Sequence, residues 1–246
     1  MSQSNQFIVK SHRTADEPIY LNEEYYETPL ERYKFLGSLL HQDKRPTGST
    51  VLDIGCATGG FLYYLSSKFP EFTFSGGDVS EKMLAVGRER QPKIDFHKCS
   101  ILDTDFFENH AFDIIFCAGV LPLIDDIALA LGNLVAGLKP GGSVYVFNSM
   151  NLHPIDTLVR YRHAEPNTTE WESGRNIWSA ATVENGLGRN NPKIEISTSV
   201  FEMPFDIAPR DDPMRTWTIG TSERKRQLIN GAGQIVNITC VHAKLP

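Results

Sequence analysis

Between residues 50 and 149 the chain alternates short apolar runs with amphipathic stretches. The runs at 50–54, 72–77, 94–98, 112–117 and 143–148 predict strands, since brief apolar segments bounded by turn formers suit a sheet buried on both faces. The stretches near 60–69, 80–90 and 125–138 predict helices. Phe61, Leu65 and Phe69 recur at helical spacing until Pro70 stops them. Ile127, Leu131, Leu134 and Leu138 form a stripe behind an N-cap at Asp125 or Asp126, and Lys139-Pro140-Gly141-Gly142 ends that helix. Strand–helix alternation of this kind predicts an α/β fold, an open, doubly wound, mostly parallel sheet with helices on both faces.

The flanks read differently. Residues 1–18 form an arm ending near Pro18, and 20–42 read as helical with a break near Pro29, with Leu30, Tyr33, Leu36 and Leu40 on one side. Residues 150–192 interrupt the rhythm with Trp171, Trp178, His153, His163 and several arginines. A segment this long with little periodicity reads as a lid or binding insertion after the fifth strand. Strand-like runs follow at 194–203 and 233–243. Leu228-Ile229-Asn230-Gly231 precedes the second and predicts a hairpin, because Asn-Gly suits a type I′ turn.

The most informative segment is Val51-Leu52-Asp53-Ile54-Gly55-Cys56-Ala57-Thr58-Gly59-Gly60. A buried strand ends in an acid, breaks into a glycine-rich turn and enters a helix, the unit that presents backbone N–H groups to a nucleotide-like ligand. The turn reads D-x-G-x-x-x-G. Ala57 stands where the dinucleotide fingerprint G-x-G-x-x-G has its second glycine. Asp78 closes the second strand, 23 residues after Gly55. An ionised carboxylate only accepts, so it can take both hydroxyls of a ribose; it can also cap the helix that begins near Ser80.

Bulk properties narrow the classes. With 246 residues, 41% hydrophobic and 22% charged, the chain is long enough for one α/β domain with an insertion. A net charge of −6 speaks against a nucleic-acid partner, and the densest basic cluster, Arg224-Lys225-Arg226, falls in the predicted hairpin region. Cys56, Cys99, Cys117 and Cys240 include no C-x-x-C pair, and no His cluster has zinc spacing, so reduced thiols and no metal are expected. No apolar stretch has membrane-spanning length and the N-terminus has no apolar signal core, so a soluble, cytoplasmic protein is expected. Oligomeric state leaves no mark in these patterns.

The pattern resembles the cofactor loop of class I S-adenosylmethionine (SAM) dependent methyltransferases. The likeness runs from Val51 to Phe147 and includes Gly77-Asp78-Val79-Ser80-Glu81-Lys82-Met83-Leu84, Phe112-Asp113-Ile114-Ile115 and Leu138-Lys139-Pro140-Gly141-Gly142. It implies a seven-stranded sheet with the last strand antiparallel. It also implies four segments: 1–44 closing over the cofactor, 45–149 as the SAM-binding Rossmann-like core, 150–192 as the lid, and 193–246 completing the sheet. The activity implied is transfer of a methyl group from SAM to an oxygen or nitrogen of a small molecule. The alternatives are a non-catalytic SAM-binding regulator on the same fold, or a protein or RNA acceptor. The turn and the Lys-Pro-Gly-Gly segment argue against an NAD-type oxidoreductase.

The cofactor residues implied are Asp53, Gly55, Cys56, Ala57, Gly59, Asp78, Val79, Met83, Ser100, Ile101 and Cys117, with Tyr26 from the tyrosine-rich helix over the sulfonium. Three positions depart from the family. Ala57 replaces a frequent glycine, Ser100 stands where an acid would hold the adenine amino group (with Asp103 as a substitute), and Leu121-Pro122-Leu123 replaces Leu-His-His. His153, just past the fifth strand, is the candidate general base, with His163 second.

Overall fold

The computed structural model describes residues 20–21, 26–162, 164, 171–173, 175–189, 191, 193–212 and 215–246. The N-terminal arm, Tyr25 and His163 lie outside these. In chain order the elements are α1 (Glu31–Asp43), β1 (Thr50–Ile54), α2 (Gly60–Lys68), β2 (Thr73–Asp78), α3 (Glu81–Arg90), β3 (Asp95–Lys98), α4 (Thr104–Asn109), β4 (Phe112–Ala118) and α5 (Ile127–Ala136). Then come β5 (Leu138–Asn151), β6 (Arg160–Tyr161), β7 (Glu172–Ser173), β8 (Trp178–Ser179), α6 (Ala180–Gly188), β9 (Glu195–Phe201), β10 (Trp217–Ile219), β11 (Gln227–Ile229) and β12 (Ile235–Lys244).

The main sheet runs β10-β11-β12-β5-β4-β1-β2-β3, with β8 added to β5 and β9 to β12. Strands β1 to β5 and β8 are parallel, and β12 runs antiparallel beside β5, as the sequence implies. The expected seven strands are corrected to ten. The three additions, β8, β10 and β11, are two or three residues long, too short for a periodicity signal.

Alternation along the strands separates two cores. Leu52, Ile54, Ile115, Cys117, Val144 and Val146 pack with α5 and α6 on one face. Val51, Ile114, Phe116, Tyr145 and Phe147 pack with α1, α2 and Leu84 of α3 on the other. The chain order reverses where β1 leads to β2 on one side and β4 lies on the other. Ligands bind open α/β sheets in the crevice at such a point.

Three local expectations change. Asp126 is the N-cap of α5, its Oδ1 accepting from Leu129 N at 3.1 Å, but the helix stops at Gly137 and Lys139-Pro140-Gly141-Gly142 belongs to β5. There it forms a bulge, for Phe112 pairs with Leu138 while Ile114 pairs with Ser143. The β11–β12 connection spans 230–234 and is no two-residue type I′ turn. Gly233 takes the left-handed conformation (φ 72°), and the Asn230 side chain accepts from Ala232 N and Gln234 N. Finally, the segment 150–192 divides. Its described first part holds the β6–β7 ribbon and a bridge between Thr157 and Ile177, whereas Trp178, Ala180, Val183 and Leu187 join the main core. Trp178 is 8% exposed and its indole donates to Leu121 O at 3.0 Å.

A buried ionic cluster fixes α1 to the sheet at the edge opposite the glycine turn. Asp43, at the end of α1, accepts from Arg45, from Lys244 Nζ at 2.9 Å and from Ser143 Oγ at 3.0 Å. Arg45 also donates to Gly141 O at 2.6 Å, and His242 Nε2 lies 3.0 Å from Ser143 Oγ. Burial pushes the Asp43 carboxyl up, but the bonds from Lys244 and Arg45 outweigh it and hold the group below the ordinary range. Asp43→Ala leaves Arg45 buried without its partner and is expected to cost about 3–5 kcal/mol, read by urea unfolding. The depressed carboxyl contributes stability above its unfolded pKa, so that contribution is lost as pH falls into the acid range.

Candidate functional site

The site is built at the carboxyl ends of β1, β2 and β4. After Ile54 the backbone turns sharply through Gly55 (φ 81°), Ala57 (φ 50°) and Gly59 (φ 82°), three left-handed residues in five. Two N–H groups, of Gly55 and Cys56, donate to the same carbonyl, Gly77 O, at 2.7 and 3.1 Å, and so pin the turn to β2. Space as well as φ demands glycine at 55 and 59. A Cβ on Gly55 would lie 2.2 Å from Val120 Cγ2, and one on Gly59 would lie 2.7 Å from Gln91 Nε2 and 2.8 Å from Phe96 Cζ.

Asp78 locks this turn. Its Oδ2 accepts from Ala57 N at 2.9 Å and its Oδ1 from Ser80 N at 2.8 Å. It thereby organises the entry to α3, and each oxygen retains a further lone pair. Val79, next in sequence, is a large apolar residue left 46% exposed at the same edge.

Asp53 is 4% exposed. Burial first, and then the neighbouring Asp78 carboxylate, push its pKa up to about 8, while Arg32 of α1 opposes the rise. Arg32 also hydrogen-bonds Tyr33, whose hydroxyl burial pushes up to about 12. The sequence does not single out this Asp53–Arg32–Tyr33 group, since Arg32 is one of 24 lysines and arginines in the chain. Tyr26 reaches the turn from the segment before α1. Its hydroxyl donates to Thr58 O, its ring lies 5.1 Å from Tyr63 and Arg90 sits 4.7 Å above it. Gln91 Nε2 donates to Gly59 O at 2.9 Å, a second tie that the sequence did not announce.

The other expected residues spread out. Met83 is buried in α3, and Cys56 is buried in the turn with its thiol pushed well up by burial. Ser100 is half-buried and accepts from Leu102 N at 3.2 Å, whereas Ile101 lies in the main core. Asp103 N-caps α4, accepting from Phe106 N at 3.2 Å, which commits one of its oxygens to a local role. Cys117 is fully buried in the core at the register position of Ile54. His153 is exposed in the turn after β5, where its backbone N–H donates to Asn151 Oδ1 at 3.0 Å, and no hydrogen bond links its ring to a described residue. Among the described residues no cluster of His, Cys, Asp and Glu could hold a metal, and no helix is long and apolar enough to cross a membrane.

Beside the turn, Gly119 (φ 82°) donates to Phe147 O at 2.9 Å and has open space where a side chain would project. Asn148, next along β5, is 4% exposed and stands opposite Thr239 of β12. Neither the Asn148 amide atoms nor Thr239 Oγ1 have a hydrogen-bond partner among the described residues. Such groups usually cost 1–3 kcal/mol each when buried, a cost that points to use. Asn176 donates to Asp125 Oδ1 at 2.9 Å and accepts from Arg160, itself paired with Asp125, which ties β6 to the segment before α5.

Two expected outcomes follow from the turn. Alanine at φ 50° is strained, so Ala57→Gly should raise unfolding stability by about 1 kcal/mol, whereas Gly55→Ala should lower it and abolish ligand binding, both read by thermal unfolding. Asp53 titrates at about 8 folded and at about 4 unfolded, so its favourable contribution is complete below the lower value and lost as pH climbs to the higher. Ligand-free protein should therefore lose on the order of a few kcal/mol between these pH values, and Asp53→Asn should flatten that slope.

Residues 51–142 match the family described as a methyltransferase domain. The trans-aconitate 2-methyltransferase of Variovorax paradoxus is 34% identical over 136 residues, which cover 55% of this chain and 52% of that protein. The chain thus spans about half the length of the curated relatives it matches. Among solved structures, the N-methyltransferase NodS of Bradyrhizobium japonicum, in complex with S-adenosylhomocysteine, superposes with a TM-score of 0.54 at 16% identity, covering 94% of this chain and 97% of that one. The [4+2]-cyclase SpnF superposes equally well, TM-score 0.54 at 17% identity, covering 86% and 80%. Identities this low show the fold alone, and that fold serves more than one chemistry. Residues 51–142 thus resemble a methyltransferase domain, and the chain shares the α/β fold of these structures.

Proposed function

We propose that this chain is a SAM-dependent methyltransferase acting on a small carboxylate-bearing molecule. The observation that carries the reading is the pinned turn with Asp53, Asp78 and Arg32 around it. Its left-handed residues bend the chain sharply beside two nearly buried carboxylates, where a ligand with an ammonium, a carboxylate and a diol finds partners. Asp53 accepts from the ammonium, Arg32 pairs with the carboxylate, and Asp78 takes the ribose hydroxyls. Val79 and Ile101 flank the adenine, with Ser100 beside it, and Tyr26 covers the sulfonium side.

Bound SAM supplies a methyl carbon already activated by its leaving group. The chain's own work is alignment and exclusion of water. Gly119 leaves room for the acceptor at the end of β4, Asn148 and Thr239 offer it a donor and acceptors, and the segment held by the Asn176–Asp125–Arg160 bonds screens it from solvent. The exposed position of His153 favours an acceptor that needs no base. A carboxylate is one: its oxygen attacks without losing a proton, and the product is an ester. The relatives named for trans-aconitate support that choice of acceptor class.

Thermal unfolding with SAM, S-adenosylhomocysteine and NAD in parallel tests the cofactor. A ligand at about a hundred times its dissociation constant should add about 2.7 kcal/mol. Stabilisation by the first two is expected, with affinity at least about tenfold weaker in Asp78→Asn, the worth of one charge-assisted bond. Transfer of labelled methyl from SAM to trans-aconitate, released as methanol by mild alkali, is then expected. Stabilisation by NAD alone, or by nothing, overturns the assignment. Binding without turnover on any acceptor favours the regulatory alternative.

A further inference from the structure

The sheet is flanked by outer strands of opposite character. β3 has four residues and carries Asp95 and Lys98, and shortness and charge are the usual devices that keep an edge from pairing with another chain. β9 has seven, Glu195-Ile196-Ser197-Thr198-Ser199-Val200-Phe201, all paired to β12 in a regular register without a bulge. It contains no Lys, Arg, Pro or Gly, and among the described residues no strand pairs with its other side. Glu195, Ser197, Thr198 and Val200 are exposed. A groove of about 550 Å³ runs between α6 and β9, bordered by Glu184, Arg189, Ile196 and Thr198.

We propose that β9 pairs with β9 of a second copy of this chain about a two-fold axis, joining the two sheets edge to edge. The register follows from the geometry of antiparallel pairing. Only alternate residues turn their N–H and C=O groups outward, so facing residues share parity. The one register that uses all seven residues is centred on Thr198, which faces its own copy. Ser197 then faces Ser199, Ile196 faces Val200 and Glu195 faces Phe201. Hydroxyl meets hydroxyl and branched aliphatic meets branched aliphatic, pairs that favour antiparallel strands, and no like charges oppose. A two-fold contact requires such self-complementarity. The groove beside β9 contributes Glu184 and Arg189 from each copy, and Glu195, the one charged residue of the strand, faces Phe201 rather than its own copy.

Light scattering on the full chain after size exclusion is expected to give twice 27.6 kDa. Thr198→Lys places two ammonium groups on the axis and is expected to yield a monomer with an unchanged circular dichroism spectrum. Thr198→Cys checks the register independently of that variant's folding. The four native cysteines are buried. Mild oxidation should therefore link Thr198→Cys into a covalent dimer and leave Glu195→Cys unlinked, its copy lying about 20 Å away along the strand. A monomeric parent, open-ended aggregates, a dimer that survives Thr198→Lys, or equal linking at both positions overturns the proposal.

Discussion

Two carboxylates at the ends of adjacent strands set the terms for this molecule. Asp53 and Asp78 are both nearly excluded from water and lie within each other's field, which is unfavourable in a ligand-free protein. The surroundings partly offset it. Asp78 spends its charge on two backbone N–H groups, Asp53 takes up a proton unusually readily, and α1 brings Arg32 close. A cationic ligand would offset it further, so local strain and ligand affinity have one source.

How much of this could be read from the sequence depended on whether a feature is local. β1, the turn and α2 were legible because strand, breaker and helix follow each other within some twenty residues and each has its own residue signature. The alternation up to Asn148 gave the sheet for the same reason. Asp78 was legible through its spacing from Gly55. Arg32, Gln91 and the Asn148–Thr239 pair were not, since each acquires meaning only from partners that the fold brings from other elements. α6 escaped notice because Ala180-Ala181-Thr182-Val183-Glu184-Asn185-Gly186-Leu187-Gly188 has two glycines and a narrow apolar stripe. Its one local signal is the N-cap, Ser179 accepting from Thr182 N.

The departures at Leu121-Pro122-Leu123 and His153 fit together physically. A turn without imidazoles packs into the core through Leu121 and holds Trp178 through its carbonyl. Leu121 and Trp178 make this segment apolar, with the neutral Asn148 and Thr239 groups on the same face of the sheet. On the proposed reading, such surroundings orient an acceptor rather than draw a proton from it.

Helix α1 lies outside the matched segment 51–142, yet the buried charges of Asp43 tie its foot to residues 141–143 and 242–244 while Arg32 serves the opposite edge. Exchange of domains between relatives therefore has a grain. A chimaera cut at the family boundary would separate partners that have no counterpart in the foreign chain. One that carries residues 31–45 together with β5 and the last strand would keep the partners of Asp43 in one piece.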